Sequence, residues 1–204
     1  LPNIDVNLVP NRASFKKLYY LGEDAPDYAV GFSNNNHGGV HGIISFSTPE
    51  QLARRKPYVK NPTQSVLLGV NHELVHQYTY AVDQQPTERF PAWLSEGLAT
   101  FLSGQRKQPG EEGFQKVITR IANMSYVPTL SELQSMQTFV VEGKYSGYDL
   151  AWMISAYLNE TMDHKALLKY ISYGYKTTDY IDLVQRSRAF YQDGHANLEN
   201  CVLN

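Results

Sequence analysis

The run Gly69-Val70-Asn71-His72-Glu73-Leu74-Val75-His76-Gln77 decides how this chain is read. Two histidines stand four residues apart, and a glutamate directly follows the first. On an α-helix that spacing is about one turn, roughly 6 Å along the axis, so both imidazoles share a face. They can hold one metal ion from consecutive turns. The Glu73 carboxylate then lies beside the ion's open position, where it can take a proton from water. Thr63 is expected to cap a helix over residues 63–81, and Leu67, Val70, Leu74 and Tyr78 recur at spacings of three and four as one apolar face. Gly69, three residues before His72, is expected to leave room beside the metal.

Two histidines do not complete a catalytic zinc site, which takes three protein ligands and a water. The chain has one cysteine, so a multi-thiolate cluster is excluded and the third ligand must be His, Asp or Glu. The best candidate lies in Pro91-Ala92-Trp93-Leu94-Ser95-Glu96-Gly97-Leu98-Ala99. Glu96 comes twenty residues after His76, one turn into a helix expected over 92–102, with Leu94, Leu98 and Phe101 on its buried side. An antiparallel return could bring it to the two histidines. The plainer alternatives are a chance match on a surface helix and a solvated Glu96. A structural metal site is a further alternative, but such a site has no use for a base beside the ligands.

The His-Glu-x-x-His motif followed by Trp93-Leu94-Ser95-Glu96-Gly97-Leu98-Ala99 resembles the gluzincin metallopeptidases, in particular their small bacterial peptidase MA-like group. The specific resemblance spans about residues 65–102, and a looser one extends to about 173. It implies a two-lobed zincin-like fold with a cleft floored by the motif helix. It also implies one catalytic zinc ion held by His72, His76 and Glu96, with Glu73 as general base. The later stretch Tyr148-Asp149-Leu150-Ala151-Trp152-Met153-Ile154-Ser155-Ala156-Tyr157-Leu158 is similar to a family helix whose tyrosine donates to the oxyanion. That role falls to Tyr148, with Tyr145 next and His164 third. Two departures stand out. Thermolysin-like enzymes carry a carboxylate one turn after the glutamate ligand, where this chain has Thr100, so the partner orienting His72 is left open. The aminopeptidase branch has an amine-binding acid in a Gly-x-Met-Glu-Asn segment, and residues 38–47 here contain none, which argues against an aminopeptidase and for an endopeptidase or an unusual exopeptidase. The same family comparison gives the strand expected at 42–47 a role as an edge pairing with the substrate backbone. An ordinary sheet strand fits the same pattern.

The remaining sequence sets the frame. The chain has 204 residues with 42% hydrophobic and 19% charged, enough to bury a core in one domain. Strand patterns come first and helices follow, so an α+β class is expected, with one lobe over about 1–81 and the other over about 82–204. Alternation at Ile4, Val6 and Leu8 reads as a half-buried strand, 29–33 as a second strand, and 33–39 as a turn. Thr48-Pro49 reads as a cap with proline at the first helical position. Further helices are expected over about 13–20, from Glu111 or Glu112 to 123, and over 130–136, 148–159, 164–173 and 180–191. A formal net charge of −2 excludes a polybasic nucleic-acid binder, and Arg54-Arg55-Lys56 reads as a solvated helix end. No run reaches the roughly 18 apolar residues of a membrane span, and no basic-then-apolar leader opens the chain. Fifteen tyrosines with one cysteine are compatible with a secreted protein, and with the bacterial family that the chain resembles this gives an expected place outside the cell or in the cell envelope of a bacterium. His37 and His41 read as surface or loop residues in preference to a second metal site, and Cys201 as a bystander. The expected partner is a peptide or protein substrate. The competing functional class is a protein-binding module on the same fold with narrow or no peptidase activity.

Overall fold

In the first unit, residues 1–82, the alternation at Ile4, Val6 and Leu8 forms strand β1, Asn3–Val9. Helix α1, Arg12–Leu18, follows, then strands β2, Gly31–Asn35, and β3, His41–Ser47. The sheet order is β1-β3-β2, with β1 parallel and β2 antiparallel to β3. One face packs Val9 and Phe15 against Phe32. The other packs Phe46 against Leu52 and Val66, which belong to α2, Pro49–Arg55, and α3, Pro62–Val82. Thr48 caps α2 as its sequence predicts, accepting from the Gln51 N–H at 3.3 Å. The cap of α3 is Asn61 rather than Thr63: its Oδ1 accepts from the Gln64 N–H at 3.1 Å.

This computed structural model describes residues 3–18, 29–35, 41–83, 90–134 and 138–192. His37, Cys201 and the turn expected at 36–39 lie outside them, as does the side chain of His41.

The second unit, residues 83–204, is built on α4, Ala92–Leu102, and α5, Phe114–Ala122. A small hairpin of β4, Val140–Val141, and β5, Tyr145–Ser146, leads into α6, Gly147–Thr161. Helix α7, His164–Lys169, continues as one π-helical turn, Tyr170–Gly174, and α8, Asp179–Gln192, closes the described chain. Helix α6 is the core element: Leu150, Trp152, Met153, Ile154 and Leu158 are fully buried. Gly97 lets α4 approach α6 closely, since a Cβ there would meet the Ala151 carbonyl and the Ser155 hydroxyl. The protein is α+β in class.

The tyrosine enrichment has a structural use here. Buried and half-buried rings need a partner for the hydroxyl. Tyr191 donates to Glu160 at 2.6 Å, Tyr170 to Asp179 at 2.9 Å and Tyr180 to the Pro128 carbonyl at 2.7 Å. Burial, with an acid beside each, pushes the Tyr170 and Tyr191 hydroxyls above their ordinary range.

Several sequence expectations are corrected. Val6 and Leu8 are exposed rather than half-buried, on an outer strand whose only described strand neighbour is β3. Residues 33–35 belong to β2 rather than to a turn. The helix expected over 130–136 is absent from its described part: residues 130–133 are turns, where Glu132 caps the chain by accepting from the Thr129 N–H at 2.8 Å. No helix among the described residues is long and apolar enough to cross a membrane.

Candidate metal centre

Helix α3 buries an unusual face. Its buried residues are Val66, Gly69, His72, His76, Gln77 and Thr79. Of the apolar stripe read from sequence, Val70 packs against the Phe46 cluster, but the other three residues turn outward: Leu67 is 55% exposed, and Leu74 and Tyr78 are also exposed. Gly69 serves packing rather than the metal. A Cβ there would run into the Phe46 ring of β3, so its smallness lets α3 lie close on the sheet.

The imidazoles of His72 and His76 are 9% and 7% exposed. Their Nε2 atoms are 3.1 Å apart, with ring planes at 82°. Zn–N bonds of about 2.0–2.1 Å at a tetrahedral angle put two nitrogens roughly 3.3 Å apart, so this pair fits two ligands of one ion. The Thr79 hydroxyl donates to the His76 carbonyl at 3.0 Å. His72 and His76 belong to α3 in the first unit, and the expected third ligand, Glu96, is half-buried on α4 in the second. Two imidazoles and a carboxylate make a three-ligand set suited to zinc. Glu73 is half-buried on the same helix.

Thr100, one turn past Glu96, is buried, and its hydroxyl has no hydrogen-bond partner among the described residues. It therefore does not take the place of the carboxylate that thermolysin-like enzymes carry there. Strand β3 lies between β1 and β2. It has no open edge, so it cannot pair with a substrate backbone, and that expectation falls.

Of the three oxyanion candidates, Tyr148 is half-buried, with its ring edge-on to Phe139 at 4.9 Å. The Tyr145 hydroxyl is already engaged, donating to the Thr138 carbonyl. His164 begins α7 and is exposed. Sequence reasoning missed Thr79 and Tyr80 beside the histidines. The Tyr80 ring lies 6.5 Å from that of His76, and the spacing His72, His76, Tyr80 could have flagged it as the next residue on the same stripe.

A family model described as a protein of unknown function, DUF1570, matches residues 67–178, more than half of the chain. The chain belongs to the DUF1570 family. The DUF1570 match spans His72, Glu73, His76, Glu96 and Tyr148, but the family description assigns no activity to any of them. No curated protein and no solved structure matches the chain.

Proposed function

We propose that this chain is a zinc-dependent peptidase of the gluzincin type, with the two-lobed zincin-like fold, cutting within peptide or protein chains. The observation that carries the proposal is the buried His72–His76 pair on α3, whose Nε2 atoms stand 3.1 Å apart, close to the spacing of two ligands of one ion. The adjacent Glu73 separates this reading from a purely structural metal site.

In this reading the two histidines and Glu96 would hold the ion. Once bound, it supplies Lewis-acid activation of water and polarises the scissile carbonyl. Glu73 takes the proton that the attacking water loses as its oxygen bonds to the carbonyl carbon. It then hands that proton to the departing amine as the C–N bond breaks. The Tyr148 hydroxyl donates a hydrogen bond to the oxyanion, a contribution of about 3 kcal/mol for a well-placed donor.

The test is digestion of a peptide library by zinc-loaded wild type and by Glu73→Gln. Cleavage by wild type that is lost in the variant supports the proposal and maps the preference. Full hydrolysis by Glu73→Gln would sink the assigned mechanism. Zinc binding with every peptide left intact would favour the protein-binding module.

A further inference from the structure

Just ahead of α6 lies a dense polar knot around Glu132. Its carboxylate accepts from the Tyr126 hydroxyl at 2.9 and 2.8 Å, the Thr129 N–H at 2.8 Å and the Thr129 hydroxyl at 2.9 Å. The Lys144 ammonium donates to it at 3.4 Å and sits 3.9 Å from the centre of the Tyr126 ring. Tyr126 in turn stacks on Tyr145 at 5.6 Å. The Thr138 hydroxyl donates back to the Glu132 carbonyl at 2.8 Å, and the Tyr145 hydroxyl donates to the Thr138 carbonyl. The turn at 126–134 and the β4–β5 hairpin are thus tied together from both sides.

A hairpin of two-residue strands is at best marginally stable by itself in water. Glu132 supplies the ties that it lacks. Two links then run from the hairpin to α6. The Gly147 N–H donates to the Phe139 carbonyl at 2.7 Å. The Phe139 ring, fully buried, meets the Tyr148 ring at 71°. Tyr148 is half-buried and on the first turn of its helix, and the Phe139 ring bounds it on one side.

We propose that Glu132 is a positioning residue: through Tyr126, Lys144 and Tyr145 it fixes the hairpin and Phe139, and Phe139 fixes the Tyr148 ring. The proposal deepens the peptidase reading and rests on it for the role of Tyr148. A displacement of about 1 Å in a reacting group can lower a rate by as much as a hundredfold, so a seat for this ring has a kinetic consequence.

The experiment has two arms on the full chain. In the first, the protein carries 3-fluorotyrosine, and the Tyr148 fluorine resonance is assigned by its loss in Tyr148→Phe. Glu132→Ala is expected to shift or broaden that resonance. Tyr126→Phe, which removes one donor and keeps the ring, is expected to do so less and guards against a Glu132→Ala that fails to fold. An unchanged Tyr148 resonance in both folded variants overturns the proposal. In the second arm, Glu132→Ala is expected to lower kcat by roughly ten- to a hundredfold. KM and zinc Kd should stay within about twofold, the pattern of a loss confined to the transition state. In a Tyr148→Phe background the same change should alter kcat by less than about twofold, because the group it positions is gone. Equal losses in both backgrounds overturn the proposal. If zinc-loaded wild type cleaves nothing, the peptidase reading fails by itself, while the fluorine resonance still decides the positioning.

Discussion

Helices α3 and α6 answer the same demand in opposite ways. Helix α6 buries Leu150, Trp152, Met153, Ile154 and Leu158, with Trp152 edge-on to Phe114 at 5.7 Å. Helix α3 buries two histidines, a glutamine and a threonine, and leaves Leu67, Leu74 and Tyr78 in solvent. Burying polar groups is costly unless they find partners. A helix that exposes its leucines forgoes the apolar burial they would supply. Departures of this kind concentrate at functional sites, where local rules yield to chemistry. On this reading α6 is scaffold and α3 carries function.

That contrast can be broken or sharpened by substitution. The largest effect is expected on α3, and on activity alone. Glu73→Gln should lower peptide hydrolysis by about 10²–10⁴-fold with the melting temperature and zinc affinity retained, as read by turnover, thermal melts and zinc titration. On α6 the sign is reversed. Trp152→Ala should cost about 3–5 kcal/mol in urea unfolding, the range for truncating a buried aromatic ring. A loss below 1 kcal/mol would undo its role as scaffold.

A smaller effect is expected at Glu132. The Thr129 N–H first, then the Tyr126 hydroxyl, hold its carboxyl down from the usual 4.5 to about 2. A lowered carboxyl pKa means stability that is present above the unfolded value and lost as pH falls through the folded one. Glu132→Gln should therefore be less stable than wild type near neutral pH. The gap should close between about pH 4.5 and 2, as followed by unfolding at stepped pH. The smallest effect is expected at Leu74→Ser on the outer flank of α3, within about 0.5 kcal/mol of wild type in the same assay. A loss of several kcal/mol there would mean that the flank is covered and that the contrast with α6 is wrong.

The sequence made some of this legible for identifiable reasons. Helix α4 is read at its observed bounds because Pro91 marks its start and the Leu94, Leu98 and Phe101 spacing marks its inner side. Helix α2 is read from Thr48-Pro49. The candidate ligands on α3 are read from a motif whose residue types and spacing carry their own chemistry. The buried face of α3 was not legible. Periodicity assigns the core to Leu67, Val70, Leu74 and Tyr78; of these Val70 alone packs on the Phe46 cluster, and the sheet, through Phe46 against Gly69, sets the polar face inward. The turns at 130–133 were missed because Leu130 and Leu133 imitate a helical spacing, while the deciding feature is a side chain, Glu132, capping its own backbone. The hairpin before α6 was missed because strands of two residues leave no alternation to see.

The most direct test of the central claim is a zinc titration of metal-free wild type beside His76→Ala, followed by calorimetry. The account predicts one tight site per chain in the wild type. In the variant it predicts affinity lower by well over the 10–100-fold that loss of an outer partner costs, with the fold intact by circular dichroism. Wild type that takes up no zinc, or a His76→Ala variant that binds it equally well, would contradict the metal centre and the peptidase built on it.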